Sequence, residues 1–432
     1  MGRYDSIFKN VILPEMYYVK RAFPDDCIKD IKKEVVEITK KTVPLNEIFG
    51  KKIAVAVGSR GITNILILVK TTVDLLKEYG AEVFIVPAMG SQSGANAENQ
   101  KTMLMHLGIT EESVGAAICS TMETKIIGRT SNDEEVHFDA YAYEADYTVS
   151  IVRIKPHTSF RGKYESGIVK MNVIGLGNQK GADACHSLGM TEMGKSLERF
   201  GECSVPNSNL LYSLAVIENT YGKICVIDAI LKKDVLVRDA ELLEQARKYI
   251  PKFPVDNIDL LIVDEIGKNI AGTGMDSNII QRYTSSAILS NKGPKRIAFL
   301  DLTNETFGAA SGMGLADITT HRVFEKVDFY KTYPNAITSR TPMAVRMPLV
   351  MENDYDAIRA GLASCYNVDY DAPRVIRIRN TACMDKIWIS KALLMEASTE
   401  KGIEISKYPK KWEFDHQGNL MDLSKFIPDD EV

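Results

Sequence analysis

"KKIAVAVGSRGITNILILVKTTVDLLKEYGAEVFIVPAMGSQSG" (residues 51–94) switches between two periodicities. Residues 51–59 are a short apolar run that closes on Gly-Ser. Residues 64–80 repeat Leu, Val and Ile at helical spacing and stop at Gly80, a residue suited to a helix C-terminus. Residues 81–91 are a second apolar run. A strand, a helix and a strand of these lengths make a right-handed crossover between parallel strands. The alternation continues with a helix over 96–108, N-capped by Asn96. Further strands follow in "ADYTVSIVRIK" (145–155) and "GKICVIDAIL" (222–231). The expected fold class is therefore α/β, a mostly parallel sheet with flanking helices.

The pattern restarts in "KYIPKFPVDNIDLLIVDEIG" (248–267), where two prolines and a polar turn precede a new buried strand. This predicts two domains, 1–253 and 254–432, each a mostly parallel sheet with flanking helices, with a cleft between them as the site. The second domain repeats the logic in "IDLLIVDE", "KRIAFLDL" and the helical "DYDAIRAGLASCYN" (354–367).

With 432 residues, 45% hydrophobic and 25% charged, the composition is that of a globular protein of more than one domain. A net charge of −4 argues against nucleic-acid or acidic-membrane partners. The N-terminus has no apolar segment of signal-peptide type, and no apolar run approaches the roughly 20 residues of a bilayer span. Seven scattered cysteines without a CxxC pair fit a reducing cytoplasm.

In open α/β sheets, ligands bind where loops leave the carboxyl ends of the strands. Four loops qualify: "GSRGITN" (58–64), "AMGSQSGANAENQ" (88–100), "KPHTSFRGKYESG" (155–167) and "GTGMDSN" (272–278). The first two expose backbone N–H groups suited to an anion, and Arg60 adds a planar fork for a carboxylate or phosphate. For any one of them taken alone, a tight turn is the preferred account of the glycines. Neither GxGxxG nor GxxxxGK[ST] occurs.

Several reactive side chains fall together in "KPHTSFRGKYESGIVKMNVIGLGNQKGADACHSLG" (155–189). Pro156 biases Lys155 toward an extended form and presents His157 at a strand end. Lys170 follows a small-residue turn and an apolar pair, where partial desolvation makes an amine a better nucleophile. His186 lies 16 residues beyond Lys170 in an expected helix, an imidazole able to bind nickel or zinc. Taken singly, each reads first as a backbone-bonded histidine or a surface lysine.

Pro156-His157, the glycine turn, Lys170, "NVIGLG" and the 16-residue step to His186 together resemble the nickel-dependent lactate racemase family. The likeness extends to "GSRGITN" and "PAMGSQSGANAENQ" and covers most of residues 45–285. It implies a 2-hydroxy acid racemase or epimerase. The implied cofactor is a nickel-pincer nucleotide, a pyridinium thiocarboxamide-thiocarboxylate mononucleotide, made by dedicated maturation enzymes. By this resemblance Lys170 is the tether, His186 the nickel ligand and His157 a general base, while Arg60 holds the carboxylate or polarises the substrate oxygen. Ser59, Gly90, Ser91 and Gly94 become candidates for the cofactor phosphate. Lys268, with Asp276 and Asn278, is expected to face the cleft.

In one respect the sequence departs from the family. The second base there is a His in a "GSHGG" loop, and the matching residue here is Gln92, whose amide exchanges no proton near neutral pH. His106, expected as a packed mid-helix histidine, is no ready substitute; Lys155, Lys163 and Lys268 are alternatives. Two further readings stand beside the racemase. One is a family member that binds cofactor or substrate without racemising it, and the other an unrelated nicotinamide-dependent oxidoreductase.

Overall fold

In the computed structural model, which describes residues 4–58, 61–290 and 292–421, the opening stretch folds as strand Lys52–Val57, helix Ile65–Glu78 and strand Glu82–Pro87. Ile53, Val55 and Val57 pack with Leu68, Val69 and Leu76 in one core. Ala54 and Ala56 pack with Phe84, Val86 and Phe138 on the other face. A strand covered on both faces carries an unbroken apolar run, which is why 52–57 shows no polar alternation. The helix ends as its sequence predicts: Gly80 takes φ +82°, and the Ala81 N–H reaches the Leu76 carbonyl at 3.1 Å.

The chain divides into two units. One is Asp25–Tyr249, and the other joins the chain up to Pro24 with Ile250 onward. The first unit holds a six-stranded sheet in the order Ala117–Ile118, Glu82–Pro87, Lys52–Val57, Tyr147–Arg153, Leu210–Glu218, Ile224–Leu231. Its neighbours are parallel except the last pair, a hairpin. From the central strand 52–57 the chain moves outward to 82–87 and 117–118. It then returns to the opposite side as 147–153. The loops leaving 52–57 and 147–153 therefore diverge, and this topological switch point is where open α/β sheets form a ligand crevice.

The second unit carries an eight-stranded sheet: Leu349–Met351, Ile318–Thr320, Arg296–Leu302, Leu260–Ile266, Val375–Ile378, Lys386–Ser390, Met16–Arg21, Ile403–Ile405. The first five strands are parallel and the rest antiparallel. Here the structure differs from the expected domain limits of 1–253 and 254–432. Strand Met16–Arg21 pairs with Lys386–Ser390 and Ile403–Ile405, so the start of the chain joins the second unit. The later limit falls at Tyr249/Ile250, because Ile250 and Phe253 pack against the second unit's core. Among the described residues no helix is long and apolar enough to cross a membrane.

Candidate active site

A cavity of about 140 Å³ opens at the switch point, and all its lining residues belong to the unit Asp25–Tyr249. Gly58, Met89 and Arg153 bring in the carboxyl ends of strands 52–57, 82–87 and 147–153. Gln92, Lys155 and Lys170 complete its polar wall, while Ile151, Met171 and Ile174 supply apolar surface. A small, mainly apolar hollow with a few convergent polar groups is the usual form of a small-molecule site.

Lys170 reaches this wall through an unusual local fold. Gly167 precedes a short helix, Ile168–Lys170, which runs into a π-helical turn, Met171–Gly175. Such turns are rare and occur frequently at functional sites. Asp239, fully buried on helix Val235–Arg247, accepts the Ile168 and Val169 N–H groups at 3.1 Å each. A Cβ on Gly167 would lie 2.1 Å from Asp239 Oδ1, so the carboxylate can reach these donors only past a glycine. Lys170 itself is half-buried, its ammonium 5.8 Å from the centre of the Phe160 ring.

Burial pushes the Asp239 carboxyl up from 3.8 to about 6, although the two backbone N–H groups pull it down. As pH rises, the unfolded carboxyl ionises first. Stability is therefore greatest below pH 3.8 and falls as pH rises through about 6, by roughly 3 kcal/mol from this group. Asp239→Asn is expected to lower stability overall but to remove this part of the pH slope. Urea unfolding between pH 4 and 7 measures it, and an unchanged slope would place the titration elsewhere.

Two glycines of "GLGNQKG", Gly177 and Gly181, share one structural purpose. Cβ atoms on Gly177 and Gly181 would approach the Val173 carbonyl oxygen to 2.2 and 2.8 Å, so helix Asn178–His186 docks directly on the π-turn. Asn178, buried at φ +51°, starts this helix and donates to Asp139 at 2.9 Å and to the Thr121 carbonyl at 3.1 Å. His186 is the helix's last residue and is half-buried. Burial pushes the neighbouring Cys185 thiol up to about 12, against the pull of the Lys170 and Arg199 charges.

The "GSQSG" loop leans on the same turn. Gly90, at φ +60°, donates its N–H to the Gly175 carbonyl at 3.1 Å. The fully buried Gln100 donates to the carbonyls of Gly90 and Gln92 at 2.9 and 3.3 Å. Gln92 and Met89 border the cavity; Gly90, Ser91 and Gly94 are in the same loop but not in the cavity wall. Ser59 and Arg60 lie outside the described residues.

His157 sits in the loop after strand 147–153, which is closed where Lys155 and Ser166 exchange backbone hydrogen bonds of 3.0 and 3.2 Å. Its ring packs on Phe160 at 4.4 Å between centroids. Phe160 thus has the His157 ring and the Lys170 ammonium both within contact range, although His157 and His186 are not among the cavity-lining residues. Lys163 pairs with Glu198 at 3.4 Å, and the Tyr164 hydroxyl and Glu198 hold its ammonium above the usual value.

His106 ends its helix exposed and is not packed mid-helix as expected. Lys268 is exposed on the loop after strand 260–266 in the other unit, its N–H on Thr306 Oγ1 at 3.2 Å. Asp276 and Asn278 are buried, where Asp276 caps a short helix by accepting the Asn278 N–H at 2.9 Å.

Sequence reasoning missed Arg153, which lines the cavity and pairs with Glu218 at 2.5 Å. Glu218 also accepts the Thr63 N–H at 2.7 Å, tying the loop after strand 52–57 to the same pair. An arginine closing an apolar strand, "VSIVR", was the available signal. Among the described residues no group of three or more His, Cys, Asp or Glu could hold a metal ion.

No protein-family model matches the chain, and no curated protein does. Among solved structures it is similar to the lactate racemase apoprotein from Thermoanaerobacterium thermosaccharolyticum, at 14% identity and a TM-score of 0.48. The match covers 90% of this chain and 96% of that one.

Proposed function

We propose that the protein is a racemase or epimerase of 2-hydroxy acids that uses a nickel-pincer nucleotide tethered to Lys170. The observation that carries this reading is the position of Lys170. It lies at the entry to a π-turn, in the wall of the switch-point cavity, and the helix that ends in His186 is docked on that same turn. The donor set fits such a group. Lys170 offers a primary amine for an amide-type bond, His186 one borderline nitrogen, and Arg153 and Lys155 offer cations for a phosphate or carboxylate. When bound, the group would accept and return hydride.

The chain's own residues bind and orient. Lys170 fixes the nucleotide, His186 ligates the metal, and His157 serves the hydroxyl oxygen of the substrate. The apolar wall of Ile151, Met171 and Ile174 limits water near a reactive hydride. Intact-mass measurement on protein co-expressed with the cofactor-making enzymes tests the reading. A covalent increment and bound nickel are expected, with nickel lost in His186→Ala; an unmodified Lys170 in active protein would end it.

A second reading is favoured by Gln92, which borders the cavity where the family pattern has a basic histidine. On that reading the chain binds its ligand without racemising it. Single enantiomers of several 2-hydroxy acids, followed for optical purity with nickel-loaded protein, separate the two. Gln92→His is expected to speed racemisation of simple hydroxy acids, by about 100-fold, the scale of one well-placed acid–base group. No gain would show that position 92 is not the second-base position.

A further inference from the structure

We infer that Glu165 is a positioning residue that holds His157 in its Nε2–H tautomer, so that the neutral ring meets a ligand as a hydrogen-bond donor. The Glu165 side chain is fully buried in the closed loop 155–166. One of its oxygens accepts the His157 N–H at 2.6 Å. The other accepts from Arg247 at 2.7 Å and from the Gly162 N–H at 3.4 Å. Arg161, 3.6 Å from the same carboxylate, donates to the carbonyls of His157 at 2.5 Å and Phe160 at 3.0 Å. Buried carboxylates persist only when paired and hydrogen-bonded in this way, and each such bond to a charged group is stronger than a neutral one.

The result is a loop whose backbone from 157 to 162 is gathered around one carboxylate. Two features of the imidazole follow. The Ser159 N–H is directed at His157 Nδ1, at 3.1 Å, and the Phe160 ring covers the imidazole. A backbone N–H can only donate, so Nδ1 must carry its lone pair and the proton of the neutral ring resides on Nε2. The opposite tautomer would set two N–H groups against each other. A base role at Nε2 needs that opposite tautomer, whereas polarising a substrate oxygen needs the one inferred here. On the proposed function, His157 would thus stabilise the oxygen of the 2-oxo acid stage by donating to it. This chemical consequence rests on that reading, while the tautomer does not.

Nitrogen-15 NMR of the full chain with labelled histidine tests the inference. Six histidines give few signals, and His157→Gln assigns the relevant pair. In wild type at pH above the ring's titration, Nδ1 of His157 is expected to resonate as an unprotonated nitrogen and Nε2 as a protonated one; the reverse overturns the proposal. Glu165→Ala is expected to average the two nitrogens, and an unchanged Nδ1 shift in a folded Glu165→Ala protein would remove Glu165 from the role. Glu165→Gln retains an oxygen for the His157 N–H and is expected to keep the wild-type tautomer. If the tautomer is as stated but no mass increment appears on Lys170, the positioning stands and the proposed function falls. The converse result separates them the other way.

Discussion

Lys170→Ala is expected to abolish both the covalent increment and turnover while leaving a folded protein. The lysine is half-buried, and the cation–π contact that its truncation removes, 5.8 Å from the Phe160 centroid, is worth about 1 kcal/mol. Its chemical loss is expected to be complete, because the proposed tether needs the primary amine at the entry to the π-turn. Lys155, the other lysine of the wall, has its backbone held in the pairing with Ser166 just beyond strand 147–153. Lys170→Arg is the informative control. It preserves the cation and most of the stem, yet guanidinium stays protonated and does not act as the nucleophile that forms a tether. Intact mass and chiral chromatography are the two measurements. An increment that persists in Lys170→Ala would move the tether to another residue and dissolve the argument from the cavity.

The fold was largely legible because its strands are buried on both faces and its helices carry their stop signals in sequence. Gly80 terminates a helix at φ +82°, and Asn96 caps the next by accepting the Asn99 N–H at 3.0 Å. Strand Met16–Arg21 could not be placed, because its partners Lys386–Ser390 and Ile403–Ile405 lie at the other end of the chain. Local periodicity reveals that a segment is a strand, not which sheet it joins.

The site divides along the same line. Lys170 was singled out by the small-residue turn before it and Gln92 by the family resemblance, and both line the cavity. Glu165, Asp239 and Gln100 were not, since each is a polar side chain spent on backbone groups of a loop. Asp239 lies 71 residues from the N–H it caps. The π-turn also escaped notice, because "MNVIGLG" reads as a glycine loop until the Val173 carbonyl is seen packed against Gly177 and Gly181. Gly90, taken as a phosphate-binding candidate, stands where a Cβ would meet the Ile174 carbonyl oxygen at 3.0 Å, so this glycine also lets its loop lie against the π-turn.

That last point yields the other large effect, at Gly167. Alanine at this position is expected to destabilise the protein by on the order of 4 kcal/mol and to prevent cofactor attachment. The added methyl would sit 2.1 Å from Asp239 Oδ1 and 2.9 Å from Ile154 Cδ1. The isoleucine tip can move, but the carboxylate cannot do so without releasing the Ile168 and Val169 N–H groups. Overpacking of this kind costs about 1–3 kcal/mol, and leaving buried backbone donors unpaired adds about as much again. Backbone strain is not the cause, since Gly167 has an extended φ of 177° that any residue adopts. The mechanism therefore predicts strong non-additivity. Asp239→Ala alone should cost about 3 kcal/mol, yet in that background Gly167→Ala should cost less than half of what it costs in wild type, because the obstructing oxygen is gone. Urea midpoints for the four proteins of this cycle measure the coupling. Equal costs in the two backgrounds would mean that something other than the carboxylate excludes a side chain at 167, and that Asp239 does not set the start of the helix carrying Lys170.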